Sequence, residues 1–261
     1  NGGTVRQSGS TSNAAAGTNS SSRQFTIGAS GATFDSATAG VTWMIDRDTR
    51  STYQVATTGN ITFTGAGDIA MNTWLSGTGS VTNNNTGTVT MGGSNTYTGG
   101  TTISAGRLVA GGAANALGTG SVTVSGTRLS FDTTAPVTYN NAISLTGAGV
   151  LDNVGTEMVT FTGGVNTNLT TTVVVDGGTA GLTIANVMTP RGSGASYYIK
   201  GDVTFTGHDM SSLVVRAAGD ATAKFTLTNG VSSFNLWFIG SDTAANAMNI
   251  DIASGVTVNE D

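Results

Sequence analysis

The chain has 261 residues, 39 of them Gly, only 2 Pro and no Cys; 38% are hydrophobic, 10% are charged, and the net charge is −5. A globular enzyme of this length is ordinarily about a quarter charged, and two lysines, Lys200 and Lys224, give no cationic footprint for nucleic acid or anionic lipid. No apolar run reaches the length of a membrane span, while the hydrophobic content combined with strand periodicity argues against disorder.

In chain order, Gly2-Gly3-Thr4-Val5 already reads as a strand, so the chain reads as a processed or excised piece of a longer secreted product. Residues 8–22 are low-complexity Ser, Asn, Ala and Gly, a long corner loop or an entry segment. Trp43-Met44-Ile45-Asp46-Arg47-Asp48-Thr49-Arg50 is the densest charge cluster. Asp46, Arg47, Asp48 and Arg50 are candidates for surface binding; the alternative is a solvated, mutually neutralising loop. Ile61-Thr62-Phe63-Thr64-Gly65, Val159-Thr160-Phe161-Thr162-Gly163 and Val203-Thr204-Phe205-Thr206-Gly207 are near copies of one another. Between such segments, Asp176-Gly177 and Asn229-Gly230 supply tight corners. Thr189 to Lys200 breaks the texture, joining Pro190 to Tyr197, Tyr198 and Lys200. These last three are candidates for surface binding, by stacking on sugar rings or on a neighbour, although alternation turns only one of two consecutive tyrosines outward. No amphipathic helix is evident beyond single turns at Ala14–Ala16 and 243–248.

Apolar anchors recur at Val5, Phe25, Trp43, Ile61, Val81, Ile103, Val122, Ile143, Phe161, Leu182, Val203, Phe225 and Ile250, about 18 to 25 residues apart. Period-two alternation puts Ile61 and Phe63 on one face and Thr62 and Thr64 on the other. Threonine is β-branched, polar and uncharged, so it favours extended backbone on a wetted face. Each turn buries only a narrow apolar strip, and stacking joins the strips into a core. The expectation is all-β: a single parallel β-helix over residues 1–261, with about 12 rungs and a length of roughly 55 to 60 Å. Phe63, Val81, Ile103, Val122, Ile143, Phe161, Val203 and Phe225 are expected inside, and Thr62, Thr160 and Thr204 outside.

The centre of residues 75–131 reads Gly92-Gly93-Ser94-Asn95-Thr96-Tyr97-Thr98-Gly99-Gly100-Thr101-Thr102-Ile103-Ser104-Ala105-Gly106-Arg107-Leu108, and continues Ala116-Leu117-Gly118-Thr119-Gly120-Ser121-Val122-Thr123-Val124. This resembles the passenger-associated transport repeat of bacterial autotransporters. Arg23 to Asp35 resembles a second segment common in such passengers. The resemblance implies a right-handed parallel β-helix carried outside a Gram-negative-type cell, extracellular or on the outer-membrane surface. It implies no particular activity, because that fold carries adhesins, enzymes and inert stalks alike.

The sequence offers little catalytic chemistry. His208 is the only histidine, and it has Asp209 beside it but no Gly-x-Ser-x-Gly elbow to supply a nucleophile. One His without Cys makes no ordinary zinc site, and no cofactor is expected. Asp152, Asp176 and Asp202 lie 24 and 26 residues apart, a spacing that stacks them if each interval is one coil. The reading is a non-catalytic extracellular structural protein, a rigid rod that associates with copies of itself. The alternatives are an adhesin for surface glycans or cells, and a polysaccharide lyase or hydrolase. End-to-end contacts are expected through Thr4, Arg6, Val256, Val258, Glu260 and Asp261.

Overall fold

The computed structural model describes residues 2–8, 26–45, 54–167, 172–185, 196–206, 214–217, 224–227, 234–235, 249–252 and 258–259. The chain divides into two compact units, Asn1–Val122 and Thr123–Asp261. Both are parallel β-solenoids, and no helix occurs among the described residues.

In the first unit, strands Gly3–Gln7, Ala32–Ser36, Ile61–Gly65, Val81–Asn83 and Thr101–Ile103 stack in parallel register. A second stack holds Thr42–Ile45, Asp68–Met71, Thr88–Met91 and Arg107–Gly111. A third holds Thr26–Ile27, Gln54–Thr57 and Trp74–Gly77. One coil therefore runs Gln54–Thr57, Ile61–Gly65, Asp68–Met71, and the next begins at Trp74. In the second unit, Arg128–Asp132, Val150–Asn153, Thr172–Asp176, Ser196–Lys200 and Val214–Ala217 form one stack. Val137–Tyr139, Val159–Phe161, Leu182–Ala185, Asp202–Thr206, Lys224–Leu227 and Asn249–Ile252 form another.

Alternation sets the core in both units. Ile61, Phe63, Val81, Ile103, Val122, Ile143, Phe161 and Val203 are buried as expected; the Phe225 side chain lies outside the described residues. Phe131, Tyr139 and Phe161 cluster in the second unit with ring centroids 4.9 to 6.0 Å apart. Burying each such ring contributes about 2–3 kcal/mol. Thr62, Thr160 and Thr204 are half-buried between fully buried neighbours, so they take the outer face. In register they belong to two threonine ladders: Thr4, Thr33, Thr62, Thr82 and Thr102 in the first unit, and Thr138, Thr160, Thr183, Thr204 and Thr226 in the second.

Two expectations need correction. The rung count differs from 12: stacks are five strands deep in the first unit and at most six in the second. One reason is that Thr26–Ile27, next to the Phe25 anchor, and the Trp43 strand Thr42–Ile45 lie on different sheets of a single coil, so two anchors marked one turn. Val5 also departs from a core position: it keeps the inward parity, in register with Phe34 and Phe63, but is 52% exposed on the end strand of its stack.

Candidate functional site

Two polar constellations stand out, one in each unit. The first is interior. Asn95 is fully buried; its Oδ1 accepts from the Leu75 N–H at 2.8 Å, and its Nδ2 donates to the Ala116 carbonyl at 2.6 Å. One amide side chain thus ties together three consecutive coils. Two residues on, the buried Tyr97 hydroxyl lies 2.6 Å from Thr101 Oγ1, which donates to the Leu117 carbonyl at 3.0 Å. Thr101 has one hydroxyl proton and gives it to Leu117, so Tyr97 is the donor in its bond to Thr101. Burial pushes the Tyr97 phenol above its usual range. Gly118 completes the corner with φ +69°, and a Cβ there would come within 2.7 Å of the Tyr97 ring. One coil earlier, Asn83 donates to the Ala105 carbonyl at 3.2 Å and accepts from Asn85 N–H at 3.0 Å, while Asn85 donates to the Thr64 carbonyl at 2.9 Å.

The second constellation is a charged row on the outer face of the second unit. Leu129, Leu151 and Val175 are fully buried, so their neighbours Ser130, Asp152 and Asp176 take the opposite face. Ser130, Asp152, Asp176 and Lys200 follow one another in register on four successive strands. The Asp152 carboxylate, only 4% exposed, accepts from Ser130 Oγ at 2.5 Å and from Arg128 Nη1 at 2.9 Å. Asp176 accepts from the Gly178 N–H at 2.9 Å and pairs with Lys200 Nζ at 3.4 Å. Two acids and two bases therefore neutralise one another from coil to coil. Among the described residues, no three His, Asp or Glu side chains come together as a metal-holding group.

The interior constellation coincides with a known sequence family. Residues 81–110 match the passenger-associated-transport-repeat family model. This stretch, 30 of the 261 residues, is similar to that repeat. With the stacked parallel coils around it, it fits an autotransporter passenger-like β-helix. No curated protein and no solved structure matches the chain significantly. Within and beside the transport repeat, Asn95, Tyr97, Thr101, Leu117 and Gly118 bond or pack against other coils of the protein.

The residues singled out from sequence fare differently. Asp152 and Asp176 stack, but the third place in their row belongs to Lys200, and Asp202 lies exposed on another sheet opposite Lys224. Lys200 is held by Asp176, and the turn after it uses Gly201 at φ +63°. Tyr197 and Tyr198 occupy strand Ser196–Lys200, in register with Val173 and Val174; their side chains lie outside the described residues. Asp46, Arg47, Asp48, Arg50, Val256, His208, Glu260 and Asp261 also lie outside them. Val258 pairs with Phe234 through the backbone. Thr4 and Arg6 are exposed on the first strand, and Arg6 Nε meets Asp35 of the next coil at 2.5 Å. Arg128 and Asn95 carried no sequence signal as cross-coil partners, because their roles depend on which residue the following coil brings alongside.

Proposed function

We propose that this chain is a non-catalytic section of a secreted or surface-exposed passenger, a spacer whose work is to hold shape and span distance. The observation that carries this reading is closure. The transport repeat directs its polar groups at neighbouring coils, and the row that stacks Asp152 and Asp176 gives each acid a basic partner. A glycosidase acid or base must instead exchange protons with substrate, and Asp152 is nearly inaccessible.

The test is turnover of neutral and acidic polysaccharides by the purified chain, followed by reducing-sugar release and by ultraviolet absorbance of unsaturated products. The expected result is no turnover. Activity that disappears in Asp152→Asn or Asp176→Asn would overturn the reading. Association between copies is a further part of the proposal, and sedimentation velocity across a concentration series tests it. A single unchanging monomer boundary would remove it.

A further inference from the structure

We propose that Trp74, with Gln54 and Thr96, forms a binding site for a neutral saccharide on the outer face of the first unit. The placement of this tryptophan sets it apart. Trp43 lies in register with Ile69 and then Val89, both buried, and its ring packs on Phe34 at 5.8 Å. That is a core position. Trp74 sits between Thr73 and Leu75, both buried, and is itself half-buried, so alternation turns it to the outer face. Its register partner is Gln54, not an apolar residue.

The site is also shaped. A Cβ on Gly93, in the next coil, would approach Trp74 Cδ1 to 2.6 Å. Glycine at that position lets the indole lie close against the following coil. Thr96 Oγ1 donates to Gln54 Oε1 at 3.3 Å, which orients the amide on the same face. Ser76 and Ser94 take neighbouring outward positions and are half-buried. The result is an aromatic surface bordered by an amide and hydroxyls. A pyranose ring complements that chemistry, with an apolar C–H face to stack and hydroxyls to exchange hydrogen bonds.

Charge selects among saccharides. Residues 69 to 106 contain no Asp, Glu, Lys or Arg, and neither do residues 51 to 67. Among the described residues a uronate or sialate would find no cation beside Trp74, so the ligand class is neutral. The inference is independent of the spacer reading, since a spacer with or without this site is equally non-catalytic.

The experiment is a titration of the full chain with cellohexaose, maltohexaose, xylohexaose and chitohexaose, read by calorimetry and by intrinsic fluorescence. Polygalacturonate serves as the acidic comparison. We expect saturable, salt-insensitive binding of at least one neutral oligosaccharide. Trp74→Ala should weaken it by about tenfold or more, Trp74→Phe should weaken it less, and Gln54→Ala and Thr96→Val should each weaken it without altering circular dichroism. Gly93→Ala should also reduce it by displacing the indole. Absence of binding to all four neutral probes would overturn the site. So would undiminished affinity in folded Trp74→Ala, Gln54→Ala and Thr96→Val, or binding of polygalacturonate alone that falls with salt. A Trp74→Ala effect confined to sedimentation would show that a second copy covers this face, and would overturn the saccharide assignment.

Discussion

The two constellations join coils by different chemistry, although each unit holds both kinds of link: Arg6–Asp35 bridges coils in the first unit, and the buried Asn153 amide donates to the Gly181 carbonyl in the second. Around the transport repeat the links are neutral and internal: Asn83, Asn85 and Asn95 bridge backbone groups of successive coils inside the wall. In the second unit, Arg128–Asp152 and Asp176–Lys200 bridge coils from the outer face. Buried amides are insensitive to ionic strength and costly to leave unpaired, whereas exposed ion pairs are screened and contribute little singly. The difference teaches that one backbone geometry accepts either kind of link, and that the two kinds respond to different solution conditions.

Core truncation should affect both units alike. Ile103→Ala in the first unit and Phe161→Ala in the second should each cost about 2–5 kcal/mol in denaturant unfolding. A large inequality would mean that the units differ in packing. Asn95→Ala should come next, because it orphans the Leu75 N–H and the Ala116 carbonyl at about 1–3 kcal/mol each. Its effect should not change with added salt. Arg128→Ala should cost less, about 1–2 kcal/mol: the Arg128 side chain is 48% exposed, but the Asp152 carboxylate it leaves is 4% exposed and keeps only Ser130 as a donor, so added salt should relieve just part of that cost. If Arg128→Ala proves as costly as Asn95→Ala, or equally salt-independent, the contrast between the two constellations fails.

Both units should weaken in alkali for a common reason. Burial raises the phenols of Tyr97 and Tyr139 above their ordinary value of 10. Above about pH 10 the unfolded chain sheds these protons while the folded chain keeps them, so stability falls as pH rises further. Thermal unfolding of the Tyr97→Phe, Tyr139→Phe double variant should show a flatter alkaline limb. At neutral pH the single variants should separate. Tyr97→Phe loses a hydrogen bond and should cost about 1 kcal/mol. The buried Tyr139 hydroxyl has no partner among the described residues, so Tyr139→Phe should be neutral or slightly stabilising.

How much of this was legible follows from what is periodic. Strand parity is local, and it placed Phe63, Phe161 and Val203 inside and Thr62, Thr160 and Thr204 outside. Coil length is not local. The spacing stacks Asp152, Asp176 and Asp202 in one row only if each interval is one coil; the step of 24 from Asp152 to Asp176 instead repeats to Lys200, and the chain turns at Gly201 before Asp202 starts another sheet. A two-residue difference in coil length decided between a third carboxylate and a neutralising amine. Trp74 escaped notice for the opposite reason. In Asn72-Thr73-Trp74-Leu75-Ser76 two adjacent apolar residues leave the parity open, and only the burial of Thr73 and Leu75 on either side reveals Trp74 as outward.

The threonine ladders carry a consequence for how such a chain tolerates insertion and deletion. Thr138, Thr160 and Thr183 occupy equivalent places in successive coils, as do Val137, Val159 and Leu182. Excising residues 159–181 in frame would bring Leu182 to the place Val159 held and Thr183 to that of Thr160, so both faces survive the splice. Removing a single residue from a strand would instead send the following threonines inward and the aromatics to water. A chain of this kind can therefore lengthen or shorten by whole coils, with the fold acting as its own reading frame.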